Sequence, residues 1–465
     1  MKEKSAIVYP YIPNSVPAVK RRMLQEVGAQ GVDDFYQDIP EQLRLKEPLE
    51  LPPPLLSEYA LKRHVQGLLR RNRSSVEYLS FLGAGCSLHH VPAVCDEVNQ
   101  RGEFLTAYAG EPYDDHGRFQ ALFEYSSMMG ELLNMDVVNV PTYDGFQAAA
   151  TSLRMAARIT GRQQVLIAHT TNPGRLSKIR DYVKPDLEIR LIGYDPATGQ
   201  LDLAALQAEI SSRTAAVYFE NPSYLGFVEG QGEEIARLAH AQGAICVVGV
   251  DPISLGVLTP PVDYGADIVC GDIQPLGMHM QFGGGQAGFI ATRDEEKYVM
   301  EYPSRLFGIA PTVIPGEYGF GDVAYERTSF AVREEGKEWV GTAAALWGIT
   351  AGVYLALMGP QGMAEIGESI MARSRYAALK IGEIAGVRAP LFRSAHFKEF
   401  VVQFDGTGQT VADINRELLA QGIFGGKDLG REFPELGQSA LYCVTEVHTQ
   451  EDIDRLVQAL KEVVR

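Results

Sequence analysis

Five short stretches place reactive side chains next to glycine or at the end of an apolar run. ICVVGVDP ends on Asp251 and a proline, so a carboxylate stands where a strand gives way to a turn that it can cap. FLGAGCSLHH puts Gly83 and Gly85 ahead of Ser87 and His89. Glycines there let backbone approach closely, as at a site wall. His89 is a candidate general base or ring-stacking group, and equally an interface histidine. PTYDGFQ sets Tyr143 and Asp144 before Gly145, which opens a helix. Free N–H groups at such a helix start suit an anion such as phosphate. GDIQPLG carries Gln274, and REEGKEWVGT carries Lys337, Glu338 and Trp339. The last reads either as a charged helix start with a packed tryptophan or as a source of one cationic point charge, Lys337. Asp114, Asp115 and His116 lie together, and with His89 and His90 would make a metal set. No spacing fixes that set, so a solvated loop is the expectation and no metal is assigned.

These residues need elements to position them. Between 76 and 335, short apolar runs (VLIAH, IRLIGY, AAVYF, ICVVGV, DIVC, AGFIA) alternate with helical spacers such as LDLAALQAEI and EEIARLAHAQ. That alternation predicts a mostly parallel α/β sheet covered on both faces. Before it, VPAVKRRMLQEVG and LLSEYALKRHVQGLLRR are helical by apolar spacing, with LELPPPLL as an extended linker. After it, EIGESIMARSRYAALKIGEIAG and VADINRELLAQG read as helices, and FKEFVVQF and SALYCVTE as strands. In the closing helix, Thr449 and Asp452 make a box-like cap. The expected organisation is an N-terminal arm over 1–75, a large α/β domain over 76–340, and a linking helix with a small α+β domain over 341–465.

Composition narrows the function classes. The chain has 465 residues, long enough for a large core and ~2–3 domains. Its net charge of −17 argues against nucleic acid or an anionic membrane as partner. Five cysteines without C-x-x-C spacing suggest reduced thiols, and the N-terminus shows no apolar signal region, so a cytoplasmic location is expected. Residues 340–359 carry no charge and are just long enough to span a bilayer, but four glycines favour a buried helix or helix pair.

The order of these runs from 213 to 290 resembles the second half of a pyridoxal phosphate (PLP) domain. More specifically, the chain resembles the P-protein of the glycine cleavage system, the decarboxylating glycine dehydrogenase, in its split form and as the alpha type of subunit. The resemblance rests on IPEQLRLKEPLELPPPLLSE, FLGAG with His89 and Pro92, EFLTAY, FQALFEYSSMMGELLNMDVVN, YDG at 143–145, VDYGADIVCGDIQPLG, FGG at 282–284, GIFGGKDL and LYCVTEVHTQEDID. It implies a fold-type I PLP-dependent transferase, like aspartate aminotransferase. It also implies a homologous beta-type partner that holds PLP on a lysine, in an assembly of the α2β2 kind, and a lipoyl H-protein whose lipoate accepts the aminomethyl group. Residues 263–290 contain no lysine, as an alpha-type subunit would have it.

On that resemblance Asp251 matches the aspartate that pairs with the cofactor's ring nitrogen, and Lys337 is a candidate for its phosphate. Without the lysine, a turn-capping role for Asp251 is favoured. His89, Tyr143, Asp144 and Gln274 are candidates for the wall of the active-site funnel. The chain departs from the family pattern at Ser87 (usually tyrosine), the 112–117 loop, Phe146 and Gln147 (usually glycine and threonine), and 337–339. Several altered wall positions leave two further readings open: a paralogue acting with a beta-like partner on another amino acid, and a catalytically silent scaffold.

Overall fold

The computed structural model describes residues 15–47, 49–104, 116–283, 286–338 and 344–464. Asp114, Asp115 and Trp339 lie outside them, with most of the 112–117 loop. The chain divides into two compact units, residues 1–73 and 74–465.

The first unit carries two helices where apolar spacing places them. Pro17–Glu26 starts on a proline, which loses nothing at a first-turn position. Glu58–Leu69 is capped by Ser57, whose hydroxyl accepts from the Ala60 N–H. Neither helix buries a residue, and Leu61, Val65 and Leu68 are exposed.

The second unit is built on a seven-stranded sheet. Its strands are β1 (Val137–Val138), β2 (Gln164–Ala168), β3 (Glu188–Ile192), β4 (Thr214–Glu220), β5 (Ile245–Val250), β6 (Ile268–Asp272) and β7 (Gly288–Thr292). The order is β1-β7-β6-β5-β4-β2-β3. Strands β3, β2, β4, β5 and β6 run parallel, and β7 is antiparallel to both its neighbours. Both faces are covered, so the central strands are apolar throughout instead of alternating. In β5, Ile245 and Val247 pack with the helices Gly145–Thr160 and Pro173–Val183. Cys246, Val248 and Val250 face the opposite layer, which includes residues of His116–Leu133 and Gly232–Ala241.

The uncharged stretch near 350 enters a helical run, Ala345–Gly382, broken at Gly359 (φ +60°) ahead of Pro360. Its first part buries Ile349, Ala351, Tyr354 and Leu355. No helix among the described residues is long and apolar enough to cross a membrane. The C-terminal region adds a three-stranded sheet of β8 (Glu399–Gln403), β9 (Lys427–Asp428) and β10 (Ser439–Cys443), in the order β8-β10-β9. The closing helix Gln450–Val463 has the reciprocal Thr449–Asp452 cap.

Candidate functional site

In an open parallel sheet, ligands are held beyond the carboxyl ends of the strands. Here that edge collects charge: Glu220 closes β4, Asp251 follows β5, and Asp272 closes β6. A small cavity of about 90 Å³ lies among them, lined also by Arg175, Lys398 and Glu399.

Asp251 does two jobs. One carboxylate oxygen accepts from the Ile253 N–H, capping the turn Pro252–Gly256. The other lies 2.6 Å from Lys398 Nζ, which arrives from the segment just before β8. Burial alone would push the Lys398 pKa down, but Asp251, helped by Cys443 and Glu399, outweighs it and holds the ammonium well above the ordinary lysine value.

Lys398 also donates to Ser87 Oγ at 2.8 Å. Ser87 Oγ is 3.2 Å from His89 Nε2, and His89 Nδ1 is 2.9 Å from Glu446. An ammonium can only donate, so Ser87 Oγ accepts from Lys398 and bridges it to His89 Nε2. Burial acts to raise Glu446, but the His89 contact and the His90 N–H outweigh it and hold the carboxyl at about 2. Gln274 braces the same strip: its Nε2 donates to the Ser87 and Met278 carbonyls.

Two further acids are buried against this edge. Glu399 accepts from the Ala84 N–H, and burial pushes its carboxyl up to about 7. Gly83 has to be glycine because a Cβ there would run into Glu399 and Cys443. Burial likewise pushes Asp272 up to about 6, against N–H donors at Gly145 and Gln274. Arg175 is bound to Glu220 at 2.8 Å and to the Tyr218 hydroxyl.

The expected anion site at the start of Gly145–Thr160 is taken up by the protein itself. Asp272 accepts from the Gly145 N–H at 2.9 Å, Asp144 accepts from the Gln147 N–H at 2.6 Å, and Gln147 Oε1 accepts from the Tyr143 N–H. The Tyr143 side chain stays exposed. Lys337 stands apart from this cluster. Its backbone N–H donates to Ser329 Oγ, and the next residue, Glu338, pairs with Arg154 and Arg158 on the far half of the same helix.

The structure therefore brings His89, Gln274 and Asp251 together through Ser87 and Lys398, sets Asp144 beside them as a helix cap, and leaves Lys337 elsewhere. Sequence reasoning missed Lys398, Glu399, Glu446 and the Arg175–Glu220 pair. The available signal was a lysine and a glutamate inside FKEFVVQF, a run otherwise made for burial.

The residues present do not fit PLP. The attachment lysine is absent from 263–290, Asp251 is neutralised by Lys398, and the helix-start N–H groups already serve carboxylates. The cavity of about 90 Å³ is also far below the ~300–1,000 Å³ usual for small-ligand sites.

The sheet order, with its single reversed strand and a small C-terminal α+β region, defines a fold-type I PLP-transferase architecture. A sphingosine-1-phosphate lyase from Burkholderia pseudomallei shares that fold (TM-score 0.64, 14% identity, 92% of this chain and 94% of the other). The family model for the glycine cleavage system P-protein matches residues 10–460. Curated relatives named "Probable glycine dehydrogenase (decarboxylating) subunit 1" are 37% identical in Staphylothermus marinus, over 98% of both chains, and 38% identical in Carboxydothermus hydrogenoformans, over 97% of this chain and 98% of the relative. An inhibitor-bound crystal structure of a glycine decarboxylase (P-protein) superposes with a TM-score of 0.82 at 33% identity, covering 98% of this chain and all of the other. The chain belongs to the glycine cleavage system P-protein family.

Proposed function

We propose that this chain is the subunit without a Schiff-base lysine in a two-subunit, PLP-dependent glycine decarboxylase, and that it is inactive alone. The observation that carries this reading is the Lys398–Asp251 ion pair in a chain that matches subunit 1 relatives end to end. The lysine ammonium stands where a cofactor ring nitrogen would meet the aspartate. The chemistry then belongs to a homologous beta-type partner that holds PLP, with lipoate on an H-protein accepting the aminomethyl group and an α2β2 assembly in the cytoplasm.

This chain's part is to shape and dry the funnel. Tyr143 offers an exposed phenol at a helix start fixed by the Asp144 cap. His89 and Gln274 hold the Ser87 strip rigid behind it. Lys337 remains a candidate for the partner's cofactor phosphate, since no hydrogen bond or ion pair of its ammonium occurs among the described residues. Residues 76–340 and 341–465 are proposed as the large and small domains. No observation favours a different amino acid or a silent scaffold.

The test is amino-acid-dependent carbon dioxide release by this chain alone and mixed with the beta-type subunit, with and without lipoylated H-protein. Release from glycine only in the complete mixture is expected. Turnover by this chain alone would overturn the reading.

A further inference from the structure

A second cavity, of about 510 Å³, shares no lining residue with the one at Asp251. It lies between the second half of the helical run Ala345–Gly382 and the segment 390–396. In a chain with a net charge of −17, its lining holds Arg375, Arg393 and His396 and no carboxylate. The rest is largely apolar, including Met371, Pro390 and the exposed Leu379.

We propose that this groove binds a small amphiphilic oxyanion: a phosphomonoester or carboxylate carried on an apolar body. Three observations support it. The volume falls within the ~300–1,000 Å³ of small-ligand sites, and an apolar lining with a few polar groups is their usual make-up.

Second, both arginines are exposed, and no hydrogen bond or ion pair of either guanidinium occurs among the described residues. Other arginines here are spent: Arg154, Arg158 and Arg175 pair with carboxylates, and Arg162 donates to two carbonyls. The acid nearest in effect to Arg393 is Asp195, which already accepts from the Ala197 and Thr198 N–H groups and the Thr198 hydroxyl. Two free planar forks facing one groove suit an oxyanion.

Third, His396 Nε2 is buried without a partner, while the ring is held through the Ser374 backbone. Burial, with Arg375 beside it, keeps the imidazole below its ordinary pKa. The ring is therefore neutral, and with its other nitrogen donating to the Ser374 backbone, Nε2 is an acceptor that suits a P–OH or hydroxyl of the ligand rather than its charged oxygens.

The experiment is isothermal titration calorimetry on the full chain with phenyl phosphate, benzoate, inorganic phosphate and benzyl alcohol. Saturable binding is expected for phenyl phosphate or benzoate with Kd below ~1 mM. Whichever of the two binds more tightly identifies the head group. Inorganic phosphate, lacking the apolar body, should bind at least ~10-fold more weakly, and neutral benzyl alcohol should not bind. Arg375→Ala/Arg393→Ala, both at exposed positions, should weaken the tighter ligand at least ~10-fold, whereas Arg416→Ala, outside the groove, should not. Absence of saturable binding, or binding unchanged in the double variant, overturns the proposal. So does a double variant that loses only its association with the beta-type subunit, because the groove would then be a docking surface for an acidic protein segment.

Discussion

Lys398 Nζ lies 2.6 Å from Asp251 Oδ2 and 2.8 Å from Ser87 Oγ, so one buried ammonium ties the segment before β8 to the end of β5 and to the FLGAG wall. A charge in that position does for the fold what a bound cationic ring would otherwise do. It neutralises an aspartate that the strand end places in a dry edge.

Removing that ammonium should be costly. Lys398→Met leaves Asp251 buried and unpaired, and a loss of ~3–5 kcal/mol is expected. Lys398→Met with Asp251→Asn should recover part of it, since no uncompensated charge remains. Urea midpoints of the three proteins measure this. Equal loss in the single and double variants would show that the ion pair is not what holds the contact.

The pH dependence of stability should have two opposed limbs. Glu446 sits at about 2, below its ordinary 4.5, so its contribution is present above about 4.5 and is lost as pH falls toward 2. Glu399 sits at about 7, above its ordinary 4.5. The unfolded chain releases that proton first, so stability falls as pH rises from about 4.5 through 7. Glu399→Gln keeps an acceptor for the Ala84 N–H and should flatten the upper limb, by up to about 3 kcal/mol at pH 8. Thermal unfolding between pH 5 and 8 reads it directly.

Ser87 is 2% exposed between His89 and Lys398. Tyrosine at this position should overpack the strip and cost ~1–3 kcal/mol. A Ser87→Tyr protein as stable as the parent would mean that the wall can open by moving Lys398.

Glu338 joins Arg154 and Arg158, and Arg154 also holds Asp186. All but Asp186 are less than a third exposed, so Glu338→Ala should cost about 1–2 kcal/mol. It should also raise amide exchange in residues 329–338 more than elsewhere. Uniform exchange across the chain would argue against a local latch.

Lys337→Ala removes a half-buried side chain whose ammonium makes no hydrogen bond or ion pair among the described residues, so the isolated chain should lose no more than about 1 kcal/mol. If Lys337 meets the partner's cofactor phosphate, the same substitution lowers glycine-dependent carbon dioxide release by the assembled complex. Unchanged activity would remove Lys337 from the funnel.

Much of the architecture was legible in the sequence because periodicity is a local property. Apolar runs of four to six residues fall in β2 to β7, strands of five to seven residues, and Thr449 with Asp452 capped the last helix as their spacing predicts. The absent lysine was legible as well, since absence from one segment needs no partner to be read. The three-dimensional cluster was not. Alternation says which way a side chain points but not which distant strand it will meet. So nothing local tells that the lysine of FKEFVVQF reaches Asp251, or that Glu446 reaches His89. Likewise Asp272 takes the Gly145 N–H only once β6 lies beside it, whereas the Asp144 cap on the Gln147 N–H is local. The sequence by itself determined the family, the sheet and the missing attachment point. Only tertiary structure decided that Asp251 is met by the protein's own ammonium, because a carboxylate set into that edge without a partner is too costly for the fold to keep.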